Sequence, residues 1–300
     1  MPAVPEPWAL LSIPMSKVAI VTDTTACIPA RKVREYGIAV VPVELIIDNK
    51  TYRDGIDISP ARFYALLRKA DKLPTTVGAL PGHYLEVFRR VSKEASGILC
   101  ITEPVHFSGM FNSARLAVGM AKEELPGVAI EVLGGATAAA GLGLVVLAAA
   151  RAAASGADLA AVVGAARDVM PRVSLFAMLD TLYYLVKSGR VPRAAALANS
   201  LLKIKPVFTL DQGDARTVAL PRSIPNAMTH IVRFMRRNVV KGKPVHAAVM
   251  HADALENALK LKNQIASHFS CAELFVTEFT PVMGLHTGPG LFGVAFYSGD

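Results

Sequence analysis

Cysteine is scarce in this 300-residue chain, and its three copies are placed where they can do little together. Cys27, Cys100 and Cys271 stand far apart and leave one unpaired in any disulfide scheme. None belongs to a CxxC or Cys/His cluster that could hold zinc, so no metal site is expected. They read as buried thiols of a reducing compartment, and the expected location is cytoplasmic. Acidic residues are also under-represented: 24 Asp and Glu face 32 Lys and Arg, a net charge of +8. That excess favours an acidic partner without choosing among nucleic acid, an anionic membrane surface and an acidic protein. Long apolar runs are missing too. The longest, residues 136–150, is too short to span a bilayer comfortably, ends at Arg151 and reads as a buried helix. Residues 1–16 have no basic start and are broken by prolines, so they read as a loose extension rather than a signal peptide.

Several chemistries lack their motif. There is no GxxxxGK[ST], no HExxH and no GxSxG, which removes the sequence signatures of P-loop phosphoryl transfer, zincin hydrolysis and α/β-hydrolase catalysis. Residues 288–293 match GxGxxG by letter but follow no nucleotide-binding strand and lie near the chain end, so no dinucleotide cofactor is expected.

What is present is core: 52% of residues are hydrophobic, enough for two domains. The organising stretch is GILCITEPVHFSGMFNSARLA, residues 97–117. Its apolar run predicts a strand, and Ser108-Gly109 opens a segment whose Phe111, Ala114, Arg115 and Val118 recur at helical spacing. A hydroxyl and free backbone N–H groups therefore meet at a helix N-terminus, a geometry that suits an anion. Ser108 as a simple helix cap accounts for the same pattern.

The pattern repeats on either side. Residues 17–22 form a branched strand ending at Asp23-Thr24-Thr25, and Pro29 and Gly37 bracket a helix. Residues 38–47 read as a second strand, turning at Asp48-Asn49 into a hairpin arm. Residues 128–133 read as another strand, meeting Gly134-Gly135 and an Ala-rich helix. Alternating strands and helices predict a mostly parallel sheet covered on both faces, with ligands outside the carboxyl ends of its strands. Asp23-Thr24, Ser108-Gly109 and Gly134-Gly135 would cluster there. The small residues of the Ala-rich helix leave room for a ligand or serve tight packing; both readings stand. Beyond residue 170 the apolar runs 175–179, 207–210, 245–250, 274–279 and 293–297 predict a second, smaller α/β domain. A turn at residues 211–214 gives it a mixed sheet. The expected division is 1–16, 17–170 and 171–300. His286 stands out because Gly284, Gly288 and Gly290 surround it, and backbone can approach a bound group there; a structural role is equally open.

From residue 17 onward the chain resembles the DegV family of bacterial fatty-acid-binding proteins. The resemblance is carried by Asp23-Thr24-Thr25-Ala26, Tyr52-Arg53-Asp54-Gly55, Phe107-Ser108-Gly109 with Asn112-Ser113-Ala114, the segment 182–190, residues 201–206 and His286-Thr287-Gly288-Pro289-Gly290. It implies an α/β protein of two domains that binds one long-chain fatty acid, the tail in the first domain and the carboxylate near the junction. It also implies a separate fatty acid kinase as partner, and no catalytic residue or cofactor of its own. Matched residue by residue, the carboxylate-binding set falls on Thr76, Ser108, Arg222 and His286, with Gly109 and Thr75 beside them and Thr24 after the first strand added to the expected site. Val77-Gly78-Ala79 and Met110 depart from the family pattern and loosen the polar surroundings of the headgroup; Cys27, where the family has Asp, weakens the expected cap of the first helix. Two other classes are weighed: an enzyme acting on a small phosphorylated or carbonyl substrate, and a nucleic-acid-binding regulator built on Arg233, Arg236, Arg237, Lys241 and Lys243. The first lacks a nucleotide or metal motif, and the second has little aromatic interleaving, so nucleic acid is not expected. A transient contact of that basic cluster with an anionic membrane is a further expectation.

Overall fold

The computed structural model of the protein describes residues 17–70, 72–189, 204–211 and 214–299. The expected N-terminal extension, the Arg190 and 201–203 portions of the resemblance and the tip of the 211–214 turn lie outside them. Among the described residues, three sheets form. The first contains β1 (Val18–Asp23), β2 (Ala39–Val41), β6 (Gly97–Thr102) and β7 (Ala129–Gly134), all parallel, in the order β2-β1-β6-β7. Strand alternation sorts its side chains onto two faces. Val18, Ile20, Leu99 and Ile101 enter one core, while Val21, Ile98 and Cys100 enter another. The helices between the strands cover both faces, as the alternating pattern predicts. These are α1 (Ala30–Glu35), α2 (Pro60–Leu67), α3 (Pro81–Val91), α4 (Met110–Glu124), α5 (Ala140–Ala154) and α6 (Leu159–Val169).

The expected strand 38–47 is two strands. Pro42 lacks an N–H and ends the ladder after Val41, and the chain re-enters a different, antiparallel sheet as β3 (Glu44–Ile47). There it pairs with β4 (Lys50–Arg53) through Asp48 and Asn49, whose φ values of 48° and 61° fit a two-residue turn of the primed type. On its other side lies β5 (Thr75–Val77), a segment with no strand signal in its sequence.

The remaining chain builds a six-stranded mixed sheet from β8 (Ser174–Met178), β9 (Val207–Asp211), β10 (Asp214–Ala219), β11 (Val245–His251), β12 (Cys271–Glu278) and β13 (Phe292–Ser298). Their order is β10-β9-β8-β13-β11-β12, with only β11–β12 parallel. Between its strands run α7 (Tyr183–Ser188), α8 (Ile224–Asn238), α9 (Leu255–His268) and α10 (Pro281–Thr287). One face, with Phe176, Met178 and Val249, packs on α8 and α9. The other, with Leu175, Ala177 and Ala248, joins the core that holds α5.

That arrangement explains the Ala-rich helix. It starts at Ala140 rather than at residue 136, and it packs against β1 as well as β11 and β13. A helix buried on several sides must be apolar all round, and twelve of its fifteen residues are buried. Gly143 shows how close the packing is: a Cβ there would stand 2.6 Å from the Ala26 carbonyl oxygen. Among the described residues, no helix is long and apolar enough to cross a membrane.

Candidate functional site

In the parallel sheet the chain leaves β1 toward β2 on one side and leaves β6 toward β7 on the other. The crevice between the carboxyl ends of β1 and β6 is thus a topological switch point, where open α/β sheets bind ligands. A cavity of about 260 Å³ sits there. Thr25, just past β1, and Glu103, just past β6, line it together with Thr76 of β5. Ser108 and Gly109 bring in the N-terminus of α4, while Ala138 and Ala139 bring in that of α5. The opposite wall is apolar and belongs to the mixed sheet: Leu175, Ala177, Phe208 and Met250, with Leu179 following β8. His286 and Thr287, at the end of α10, close one side.

Of the residues expected at the site, Thr76, Ser108, Gly109 and His286 therefore meet at one cavity. Ser108 also accepts the Met110 N–H at 3.3 Å, so capping and facing the cavity coexist. His286 lies in the last turn of α10 rather than in a glycine loop. Gly288 and Gly290 follow with φ of 72° and 93°, and a Cβ on either would press into Tyr184 or Asp180. The GxGxxG letters run from a helix end into β13, the reverse of a dinucleotide site.

Three expected residues do not line the cavity. Thr24 points elsewhere: its hydroxyl accepts the Val43 N–H at 3.2 Å and its carbonyl accepts from the Thr280 hydroxyl at 3.1 Å. Its neighbour Thr25 takes the place at the wall. Thr75 is exposed because β5 alternates and Thr76 occupies the inward position. Arg222 is exposed just ahead of α8, and α8 covers the face of the mixed sheet opposite the one that walls the cavity. Cys27 does not cap α1 either. It sits at φ 48° after the turn Thr24–Ala26, while α1 begins behind Pro29.

Behind the Thr25 wall lies a buried polar junction. Asp23 accepts the Thr25 N–H at 2.9 Å and the Thr25 hydroxyl through one oxygen, and the Tyr84 hydroxyl lies beside the same carboxyl. Burial raises its carboxyl to about 6 against the lowering effect of the Thr25 bonds. Asp54 accepts the Val282 N–H at 3.3 Å and has the Thr24 and Thr280 hydroxyls beside it; burial outweighs these donors and raises it to about 7. Asp54 ties the end of the β3–β4 hairpin to the start of α10, while Asp23 holds the turn that follows β1. Among the described residues, no group of three or more His, Cys, Asp or Glu could hold a metal ion.

Sequence reasoning missed Glu103, Thr25 and Asp54. The first two follow the strands β1 and β6 directly, so the rule that ligands sit at strand carboxyl ends was the signal available. Asp54 is named only within the motif Tyr52-Arg53-Asp54-Gly55 that carries the resemblance, and nothing beside it in sequence points to its partner Val282.

The family model described as "Uncharacterised protein, DegV family" matches residues 17–299. The chain belongs to the DegV family. A DegV domain-containing protein of Caldanaerobacter subterraneus is 32% identical over 282 residues, covering 94% of this chain and 99% of the relative. The structure of a DegV family protein from Thermus thermophilus, described by its fatty acid binding, superposes with a TM-score of 0.86 at 28% identity, covering 94% of this chain and 99% of that one. DegV of Bacillus subtilis, described as a fatty acid binding protein, superposes with a TM-score of 0.84 at 26% identity over 94% and 99%.

Proposed function

We propose that this DegV family member binds one long-chain fatty acid between residues 17–170 and 171–300, acting as two domains, and presents its carboxylate to a partner kinase for acyl-phosphate formation. The observation that carries the reading is the cavity itself, whose largely apolar wall faces Thr76, Ser108 and the α4 N-terminus. Burying about fifteen methylenes at roughly 0.8 kcal/mol each gives a gross gain on the order of 12 kcal/mol before ordering costs, so the tail dominates affinity. A buried carboxyl group needs hydrogen bonds, and the Thr76 and Ser108 hydroxyls with His286 supply candidates. Fatty acid binding by the Thermus thermophilus and Bacillus subtilis relatives supports the same ligand class. The exposed Arg233, Arg236 and Arg237 on α8 offer a docking face for the kinase or for an anionic membrane.

Native mass spectrometry of protein purified without added ligand is expected to reveal a co-purified mass matching a long-chain acid. A ligand-free protein that takes up no labelled fatty acid ends the proposal. Combining Thr76→Ala with Ser108→Ala should weaken fatty-acid binding by about 1–3 kcal/mol per group lost, with the melting transition retained. Unchanged affinity in the folded double variant removes both hydroxyls from the site.

A further inference from the structure

One stretch of the cavity wall is made without side chains. Of the described residues that line it, only Gly78 and Gly109 are exposed; the others are buried or half-buried. Gly78 stands two residues after Thr76 and Gly109 one residue after Ser108, so the exposed glycines lie beside the two hydroxyls. Neither position needs glycine for its backbone. Gly109 has φ −77° and ψ 3°, a conformation open to residues with a side chain, and Gly78 stays out of the left-handed region. Packing does not require glycine there either. A Cβ at Gly109 would meet nothing within 4 Å, and one at Gly78 would meet only Met110 Cγ, at an ordinary 3.6 Å. Gly143 is the contrast, since a Cβ there would press on the Ala26 carbonyl. Glycine is tolerated ahead of α4, yet Ser, Asn and Asp cap better, and capping gives no account of Gly78.

Resting on the fatty-acid reading above, we infer that Gly78 and Gly109 form the mouth of the cavity at its headgroup end, held open by the side chains they lack. An acyl chain whose carbonyl oxygen accepts from the Thr76 and Ser108 hydroxyls points whatever is attached to the carboxyl carbon out between the two glycines. The ligand class is therefore wider than free acids: acyl chains extended beyond the carboxyl carbon through an amide or ester fit the same place, with the extension in solvent. Their carbonyl oxygen still accepts hydrogen bonds and their tail still buries the same apolar surface, so the extension costs little.

Titration of the whole protein with hexadecanoate and with N-hexadecanoylglycine, whose amide carbonyl takes the place of the carboxyl group, tests this. The wild type should bind the two within about tenfold of each other. Gly78→Leu and Gly109→Leu should lower affinity for the conjugate, relative to hexadecanoate, by at least about tenfold, because a side chain in the mouth obstructs the longer headgroup more. The ratio is read within each protein, so a general loss of affinity in a variant leaves it intact. Gly78→Ala and Gly109→Ala, which add one carbon in open space, should shift it in the same direction and serve where leucine is not tolerated. A wild type that binds hexadecanoate well and the conjugate more than about tenfold more weakly overturns the inference, and that measurement needs no variant. So does a ratio left unchanged by substitution at both glycines. Failure of the fatty-acid reading looks different: the wild type then binds neither compound.

Discussion

The C-terminal end of α5 meets a carboxylate ringed by cations; its other end packs on the turn Thr24–Ala26, next to which Asp23 and Asp54 are held by hydroxyl and amide donors. Arg151, in the last turn of α5, reaches Glu273 of β12 at 3.2 Å and the Tyr297 hydroxyl at 2.8 Å. Lys32 of α1 pairs with the same Glu273, and His246, stacked on Tyr297, lies 3.6 Å from it. Burial acts to raise the Glu273 carboxyl, but His246, Lys32 and Arg151 outweigh it and hold it at about 2. At the other end, Asp23 and Asp54 receive hydroxyl and amide donors but no cation, and burial wins, raising them to about 6 and 7. The same helix thus ends in a charge-balanced clamp between α1 and the mixed sheet and begins on the side of the molecule where Asp23 and Asp54 are held by neutral donors. The difference between the two ends is one of donor chemistry: cations at one, hydroxyls and amides at the other.

The clamp should carry the larger stability effect. Glu273→Gln strips the partner from Lys32, whose side chain is 8% exposed, and is expected to cost about 3 kcal/mol in chemical denaturation at pH 7 while leaving ligand affinity unchanged. Because the folded Glu273 carboxyl is depressed, its contribution is present above about pH 4.5 and fades as pH falls toward 2. A loss below 1 kcal/mol, or a loss confined to ligand binding, would erase the distinction between the two ends.

The cavity end should respond with the opposite sign. A folded Asp54 raised to about 7 gives stability that is complete below about pH 4 and is lost as pH climbs through 7. Asp54→Asn retains an oxygen to accept the Val282 N–H and removes the charge. It is expected to stabilise the protein by about 2 kcal/mol at pH 8.5 and by nothing measurable at pH 4, read from denaturation midpoints at both values. Equal effects at both pH values would mean that Asp54 is not ionising inside the fold.

Much of this contrast was legible in the residues. The branched strand ahead of Asp23, the strand ahead of Glu103 and the Ala-rich helix announced themselves through apolar period and punctuation, and the carboxyl-end rule put the ligand where the cavity lies. Long-range polar partners were not legible. Nothing near Lys32 in sequence points to Glu273, and nothing near Asp54 points to Val282, because those pairs exist only once the mixed sheet closes over α5. Proline explains another miss: Pro42 splits one apolar run between two sheets, an effect that composition alone disguises. Arg222 failed for a similar reason, since the face of the sheet that α8 would cover was not written in its own neighbourhood.

The smallest expected effect is the sharpest test of the cavity end, because it compares two adjacent threonines. In β5, Thr76 pairs with Leu45 and Thr75 with Ile46, and alternation sends the first into the cavity and the second to solvent. Thr76→Ala should weaken fatty-acid binding by about 1 kcal/mol, the net value of one hydrogen bond, whereas Thr75→Ala should stay within about 0.5 kcal/mol. Neither substitution should alter the pH dependence set by Asp54, or the acid sensitivity set by Glu273, since neither touches those carboxyls. Fluorescent fatty-acid titration of both variants reads the difference directly. If Thr75→Ala carries the loss and Thr76→Ala does not, β5 pairs with β3 one residue out of register, every inward residue of that strand exchanges with its neighbour, and the hydroxyl at the cavity wall belongs to Thr75.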